Sequence, residues 1–194
     1  MGLADGERLH VEDVQQWRAW LTANADRGTG VWLVSWKRAT GRPALTYDQA
    51  VEEALAVGWV DATAGTIDAD RSMLWFAPRK RGSGWSRPNK LRLERLEAEG
   101  RMQERGRAVV AEAKRHGSWT LLDEVEDLVV PPDLAAALEE RPGARQQWEA
   151  FPRSVKRGQL EQLVRAKRPE TRARRIAALA DAAATGERWL FQRR

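Results

Sequence analysis

Cysteine is absent from the 194 residues, and histidine occurs only twice, as His10 and His116. The lack of cysteine excludes disulfide bonds, thiolate nucleophiles and thiolate metal sites. Two histidines are too few for a multi-histidine metal centre, although carboxylates could still bind Mg²⁺. We therefore predict no metal site in this protein.

Long apolar runs are also missing. No stretch approaches the roughly 18 apolar residues that a membrane-spanning helix requires. The chain begins Met-Gly-Leu-Ala-Asp-Gly-Glu-Arg, without the apolar core of a secretion signal. The phosphate-binding pattern Gly-x-x-x-x-Gly-Lys-Ser/Thr does not occur either. We expect a cytoplasmic protein that does not insert into membranes and uses no cofactor.

The net charge is only +5, but acidic and basic side chains are unevenly distributed along the chain. Residues 1–78 carry 7 basic and 11 acidic side chains, whereas residues 79–115 carry 12 basic and 5 acidic ones. Residues 116–162 carry 5 basic and 9 acidic side chains, and residues 163–194 carry 9 and 3. The two basic blocks could form an anion-binding face, or they could be solvated helix surfaces.

Tryptophan is the residue present in excess, with ten copies against one tyrosine and three phenylalanines. An indole ring buries a large apolar body and needs an acceptor for its N–H group. Most of the ten should therefore lie in the core. A minority at loop or hairpin positions could line a ligand cleft.

Apolar spacing and turn residues predict an α+β fold, in which helices cover a small three-stranded sheet. Strands are expected where β-branched and aromatic residues cluster between turn residues, at positions 31–37, 59–67 and 72–77. Helices are expected where apolar residues recur at helical spacing, at positions 11–24, 47–57, 86–100 and 102–116. Thr46 and Gln49 should form a capping box at the start of the second of these helices.

Residues 118–132 are predicted to be a mostly acidic connector, and apolar spacing makes the chain helical again up to Ala184. A chain of 194 residues is long enough to form a hydrophobic core that is stable without disulfide bonds or bound metal ions. We divide the chain into an α+β domain at residues 1–117, which carries a Trp- and Arg-rich pocket, and an all-helical C-terminal region at residues 118–194 that packs on it.

The stretch from residue 53 to residue 89 interleaves polar groups with tryptophans, and it contains the candidate ligand-binding residues. These are Trp59, Asp61, Arg79, Arg81, Ser83, Trp85, Ser86 and Asn89. Asp61 opens a predicted strand after a helix and a glycine turn. Its carboxylate could be a general base, a Mg²⁺ ligand or an acceptor for a ligand. It could also cap local amides or pair with Arg79.

Three consecutive cations, Arg79, Lys80 and Arg81, precede a glycine-containing loop and a helix start. A helix N-terminus offers free N–H groups and partial positive charge, which suits phosphate or carboxylate. The neutral donors in the same loop complete a possible anion cradle. The alternative is that Ser86 only caps its helix and that the cations are solvated. The Trp85 ring could stack on a base or another ring, or pack in the core.

A second basic cluster lies near the end of the chain. It consists of Arg165, Lys167, Arg168, Arg172, Arg174 and Arg175. These cations could contact a nucleic-acid phosphate backbone. We favour the alternative that they are the solvated face of two short helices.

Several motifs in fixed order resemble one protein family. They are Gly58-Trp59-Val60-Asp61, Pro78-Arg79, Ser83-Gly84-Trp85-Ser86, Asn89, Gly100-Arg101-Met102, Ala166-Lys167-Arg168 and the run from Glu170 to Ile176. Together they are similar to the YdeI/OmpD-associated family, whose members are often labelled bacteriocin-protection proteins. The resemblance extends over about residues 14–184. Gly82 and Gly84 make the loop looser than the family pattern.

The family resemblance implies a role in envelope stress or in resistance to antimicrobial peptides, and it defines no reaction. We therefore predict a non-enzymatic stress-resistance protein that binds a small anionic ligand or a protein partner through the region from Asp61 to Asn89. One alternative is a nucleic-acid-binding protein that uses the basic clusters. Another is a hydrolase or transferase in which Asp61 acts as the base.

Overall fold

The computed structural model of the protein describes residues 6–189, and the chain divides into two compact units, Met1–Trp119 and Thr120–Arg194. The described part of the first unit combines a sheet with four α-helices, and that of the second is helical. The predicted α+β class is therefore confirmed.

The sheet contains four strands, not the three predicted from the sequence. They are β1 (Arg8–His10), β2 (Val31–Trp36), β3 (Trp59–Thr66) and β4 (Arg71–Pro78), in the spatial order β1-β2-β4-β3. The missed strand β1 pairs in parallel with β2, and the other neighbours are antiparallel. The three residues of β1, Arg-Leu-His, are too few for an apolar alternation, so only long-range pairing defines this strand.

The helices of the first unit follow the predicted positions closely. They are α1 (Val14–Ala23), α2 (Tyr47–Ala56), α3 (Arg87–Ala98) and α4 (Glu104–Arg115), with a short 3-10 helix at Arg38–Thr40. The predicted capping box is confirmed, because the Thr46 side chain accepts from the Gln49 backbone N–H while the Gln49 side chain accepts from the Thr46 backbone N–H.

The core of the first unit lies on the sheet face that carries the helices. Val31, Leu33 and Phe76 project from the strands into this core. The buried aromatic side chains Trp17 and Trp59 join them, and the indole N–H of Trp17 donates to the Ala50 carbonyl at 3.0 Å. A hydrogen bond of this kind satisfies the polar atom of a buried indole ring.

Two consecutive glutamates of α2 are buried against arginines from three other segments. Arg18 of α1 donates two hydrogen bonds to Glu53, at 2.7 and 2.6 Å. Arg101 reaches Glu53 at 2.7 Å and Glu52 at 3.1 Å, and Arg95 of α3 also binds Glu52. Because a buried carboxylate is costly unless it is paired, this cluster fixes α2 relative to α1 and α3.

A close approach between α4 and the end of α2 sets the position of α4. Gly106 of α4 lies against the Ala56 carbonyl group, and a β-carbon at Gly106 would be 2.8 Å from the Ala56 carbonyl carbon. Only glycine fits this contact, which accounts for a residue that otherwise weakens a helix.

The second unit contains five helices within the described residues. They are α5 (Asp123–Glu126), α6 (Pro132–Glu139), α7 (Ala144–Ala150), α8 (Arg153–Val164) and α9 (Pro169–Ala184). Leu134, Leu138 and Leu179 belong to its core. The acidic segment predicted as a connector contains α5, where buried Glu126 accepts two hydrogen bonds from Arg157 at 3.0 and 2.8 Å.

Candidate functional site

The loop between β4 and α3 is ordered by a tight turn at its centre. The Ser83 backbone N–H donates to the Lys80 carbonyl at 3.1 Å, and Gly82 at the third position of the turn has φ +78°. A turn with positive φ at that position favours glycine. The glycine that appeared to loosen the loop therefore gives it a defined shape.

Arg79 and Trp85 clamp the two ends of this loop together. The guanidinium carbon of Arg79 lies 3.6 Å from the centroid of the Trp85 ring, a close cation–π contact. Arg79 also donates to the Gly84 carbonyl, and its backbone N–H donates to the Gly58 carbonyl at 3.1 Å. The Trp85 side chain is only 1% exposed, and its indole N–H has no acceptor among the residues described.

The loop faces α4 across a small cavity of about 280 Å³, which we call the loop–helix cleft. It is lined by Arg79, Lys80, Arg81, Ser83 and Trp85 from the loop, by Arg105, Glu112 and His116 from α4 and its C-terminus, and by Ser118. Its volume is just below the range for small-molecule sites, which begins at about 300 Å³.

The charge around the loop–helix cleft is predominantly positive. Arg79, Lys80, Arg81 and Arg105 border it, and Glu112 is the acidic residue among its lining residues. Glu112 is paired with Arg81 at 3.2 Å, and Arg105 forms an ion pair with the exposed Asp26 at 2.8 Å. Among residues 6–189, no carboxylate pairs with the Lys80 ammonium. A small anion entering the cleft would therefore meet excess positive charge.

Asp61 lies in a different group of side chains, beside the N-terminus of α2. Its carboxylate accepts a hydrogen bond from the Tyr47 hydroxyl at 2.8 Å. Arg92 packs near the Tyr47 ring and pairs with Asp48 at 2.6 Å, and it donates to the Asn89 side chain at 3.0 Å. The structure thus places Asp61 and Asn89 in one surface cluster, apart from the residues that line the loop–helix cleft.

Burial and the hydrogen bond to Asp61 raise the pKa of Tyr47 to about 12. The phenol therefore remains protonated at neutral pH, and its proton occupies one oxygen of Asp61. A base in this position would first have to exchange that hydrogen bond for one from a substrate.

Of the remaining predicted site residues, Trp59 lies in the core, Ser86 lies at the start of α3 and Arg81 lies on the surface. Trp59 has no exposed surface, and its N–H donates to the Ala25 carbonyl at 3.3 Å. Ser86 is the N-cap of α3, as predicted, but its hydroxyl makes no capping hydrogen bond. Arg81 is 76% exposed despite its pairing with Glu112.

No motif in the sequence pointed to the α4 side of the loop–helix cleft. Arg105, Glu112 and His116 follow one another at intervals of seven and four residues in the sequence. That spacing puts side chains on one face of a helix. A search for charged residues at helical spacing opposite the loop would have found them.

The second basic cluster already has protein partners for several of its cations. Arg172 donates to both oxygens of Asp133, at 2.7 and 2.9 Å, and these hydrogen bonds lower the pKa of Asp133. Arg165 donates to Glu161 at 2.8 Å, and Arg175 donates to the Gln162 carbonyl. Three of the six cations therefore serve contacts within the second unit.

No group of three or more histidine, aspartate or glutamate side chains within residues 6–189 is arranged to hold a metal ion. No helix in the same range has both the length and the apolar character needed to cross a membrane.

Comparisons with known proteins give two matches along the chain. Residues 9–109 match a family described as Domain of unknown function (DUF8412). Residues 127–186 match a family described as Bacteriocin-protection, YdeI or OmpD-Associated. No curated protein and no solved structure matches the chain. The loop–helix cleft lies mostly within the first matched segment, and the motif at residues 166–176 lies within the second.

Proposed function

We propose that this chain binds a small anion in the loop–helix cleft. The chain belongs to the DUF8412 family, whose model matches residues 9–109, and residues 127–186 match the bacteriocin-protection, YdeI or OmpD-associated family. The second match confirms the family expected from the sequence over residues 127–186, whereas the expected extent was about residues 14–184. In this proposal the protein acts in stress or antimicrobial resistance by binding a ligand rather than by catalysing a reaction.

The observation that carries the proposal is the convergence of four cationic side chains on one small cavity. Two of them come from consecutive residues of the loop, Lys80 and Arg81, and Arg105 comes from α4. Stacking on Trp85 holds the fourth, Arg79, in place before any ligand arrives. Preorganised positive charge of this kind binds an anion without the entropic cost of ordering long side chains.

Two further features favour an oxygen-bearing anion such as phosphate or a small carboxylate. The hydroxyl groups of Ser83 and Ser118 line the same cavity and can donate hydrogen bonds. The buried N–H of Trp85 lacks an acceptor among the described residues, and such a donor costs about 1–3 kcal/mol. A bound oxygen atom or an ordered water that reached it would remove this cost.

Isothermal titration calorimetry with inorganic phosphate and small carboxylates tests the proposal. Lys80→Gln and Arg105→Gln should each weaken binding, and together they should weaken it by more than about tenfold, because each removes one positive charge from the cleft. Both side chains are on the surface, so the variants should fold normally.

Lys167→Gln is the matched control, because this exposed lysine lies in the second unit and should leave anion affinity unchanged. Binding that survives the Lys80→Gln and Arg105→Gln pair unaltered would contradict the proposal. So would the absence of binding by any of the anions tested.

A further inference from the structure

A second cavity of about 590 Å³ runs between α3 and α4, and we call it the α3–α4 groove. Its lining includes apolar side chains that are exposed or only partly buried, namely Ala98, Val110, Ala111 and Trp119. Leu91 of α3 is 59% exposed and extends this apolar surface, because it lies seven residues before Ala98 and so on the same face of the helix. An exposed apolar surface with charged residues at its border is typical of an interaction site.

Four charged side chains line the α3–α4 groove, two of each sign. Arg107 donates to both oxygens of Glu97 at 3.0 Å, so these two charges neutralise each other. The other two are Glu94 on α3 and Lys114 on α4, and within residues 6–189 neither of them forms an ion pair. The Lys114 ammonium lies 5.0 Å from the centroid of the Trp119 ring, and its hydrogens that point away from the ring remain able to bind a carboxylate. One wall of the groove therefore has an unpaired acid, and the opposite wall has an unpaired base.

This distribution of charge makes the surface complementary to itself. In a dimer with two-fold symmetry the same patch of both subunits meets, and every contact between two residues occurs twice. If α3 of one copy faced α4 of the other, Glu94 of each copy would meet Lys114 of its partner. Both unpaired charges would then be neutralised, and the apolar side chains beside them would be removed from water.

We propose that a second copy of this chain occupies the α3–α4 groove, so that α3 and α4 of the two copies form a four-helix interface. Burial of Leu91, Ala111 and Trp119 supplies the affinity, because it removes apolar surface from water. The two Glu94–Lys114 pairs fix the register of the helices and disfavour other partners.

The size of the helical face sets the expected strength of the dimer. Each of the two helices has 12 residues. Each is therefore about 18 Å long, and the packed pair is about 20 Å wide. A face of that size, about 360 Å² in projection, belongs to the small interfaces of weak and reversible complexes. We expect a dissociation constant in the micromolar range and a monomer in dilute solution.

This interface is separate from the loop–helix cleft, so the inference does not depend on the proposed function. The cleft uses Ala108 and Glu112 of α4, whereas the groove uses Val110, Ala111 and Lys114. The two cavities are therefore lined by different faces of one helix.

Sedimentation velocity of the full chain at increasing protein concentration tests the proposal. The average mass should rise from that of one chain toward that of two. Glu94→Lys and Lys114→Glu should each weaken the dimer by more than about tenfold, because each places like charges opposite each other at two symmetric positions. An equimolar mixture of the two variants should associate again, since one chain then presents two lysines where the other presents two glutamates.

Arg115→Glu is the matched control, because this exposed arginine lies next to Lys114 but does not line the groove. It makes the same reversal of charge and should dimerise like the unaltered protein. A chain that stays monomeric at every concentration would overturn the proposal, whether its groove is empty or binds another molecule. Dimerisation that neither Glu94→Lys nor Lys114→Glu weakens would also overturn it. So would a mixture of the two variants that stays monomeric although circular dichroism shows both to be folded.

Discussion

Tyr47 is the only tyrosine in the 194 residues, and its hydroxyl is bonded to Asp61. The sequence marked Asp61 as a candidate because it follows a glycine turn at the start of a strand. It contained no signal that the partner would be a tyrosine fourteen residues earlier. The contact arises because α2 packs on the same sheet face from which Asp61 projects, which is a tertiary effect.

The Tyr47–Asp61 pair can be tested directly by ultraviolet titration, since no other phenol contributes to the signal. Asp61→Asn should lower the Tyr47 pKa from about 12 toward, but not fully to, the ordinary value near 10. The negative charge that opposes ionisation would be lost, while the partial desolvation of the half-exposed phenol would remain. A Tyr47 pKa that does not change in Asp61→Asn would show that the hydrogen bond has no influence on the phenol.

At the scale of elements, the packing of α4 on α2 depends on one missing side chain. Gly106→Ala should destabilise the protein by about 1–3 kcal/mol, because the added methyl group overlaps the Ala56 carbonyl. Gly158→Ala in α8 is the matched control, since nothing lies within 4 Å of a β-carbon there. It should stabilise the protein by up to about 1 kcal/mol through helix propensity.

Chemical denaturation of the two glycine variants measures both effects. If Gly106→Ala were as stable as the unaltered chain, α4 could not lie as close to α2 as the structure shows. The position of the loop–helix cleft would then also be in question, because α4 forms one of its walls.

Elements with a strong repeating pattern were predictable, and elements defined by distant partners were not. The helices α2 and α4 have apolar residues at helical spacing, and α2 has a complete capping box. By contrast, β1 is held by its pairing with β2, and α5 contains the buried Glu126, whose partner Arg157 lies 31 residues later. Local sequence cannot indicate either contact.

In the candidate site, too, features set by local sequence were predictable and features set by distant contacts were not. The loop from Arg79 to Ser86 could be predicted as a basic turn before a helix, since its glycines, serines and cations are adjacent in the sequence. The loop itself gave no sign that Arg105 and His116 line the same cleft. The separation of Asp61 and Asn89 from the loop–helix cleft likewise follows from how α2 and α3 pack, not from any motif.

At the scale of the whole molecule, each unit contains a carboxylate whose pKa is held below its ordinary value by hydrogen bonds from arginine side chains. In the first unit, burial acts to raise the pKa of Glu53, but hydrogen bonds from Arg18 and Arg101 lower it further than burial raises it. In the second unit, Arg172 lowers the pKa of Asp133. Both carboxylates are therefore more stable as anions in the folded protein than in the unfolded chain.

Acid should consequently destabilise the protein, and Glu53 should account for part of the effect. Its contribution is fully present above the unfolded-state pKa of about 4.3 and is lost as the pH falls through the lower folded-state value. Glu53→Gln should unfold more readily at pH 7, yet lose less stability than the unaltered chain between about pH 5 and pH 3.

Thermal unfolding followed across this pH range measures the difference. Glu124→Gln, which alters an exposed acid of α5, should keep the acid sensitivity of the unaltered protein. Parallel pH profiles for Glu53→Gln and the unaltered chain would contradict the assignment.

The buried glutamate pair of α2 also constrains the order in which the protein is assembled during its synthesis. Arg95 and Arg101 lie 43 to 49 residues after the glutamates they bind. At typical translation rates of about 5–20 residues per second, the ribosome completes α2 several seconds before it adds Arg101. Because unpaired carboxylates resist burial, α2 must keep Glu52 in water during that interval. The first unit can thus complete its core only after residue 101 has been made.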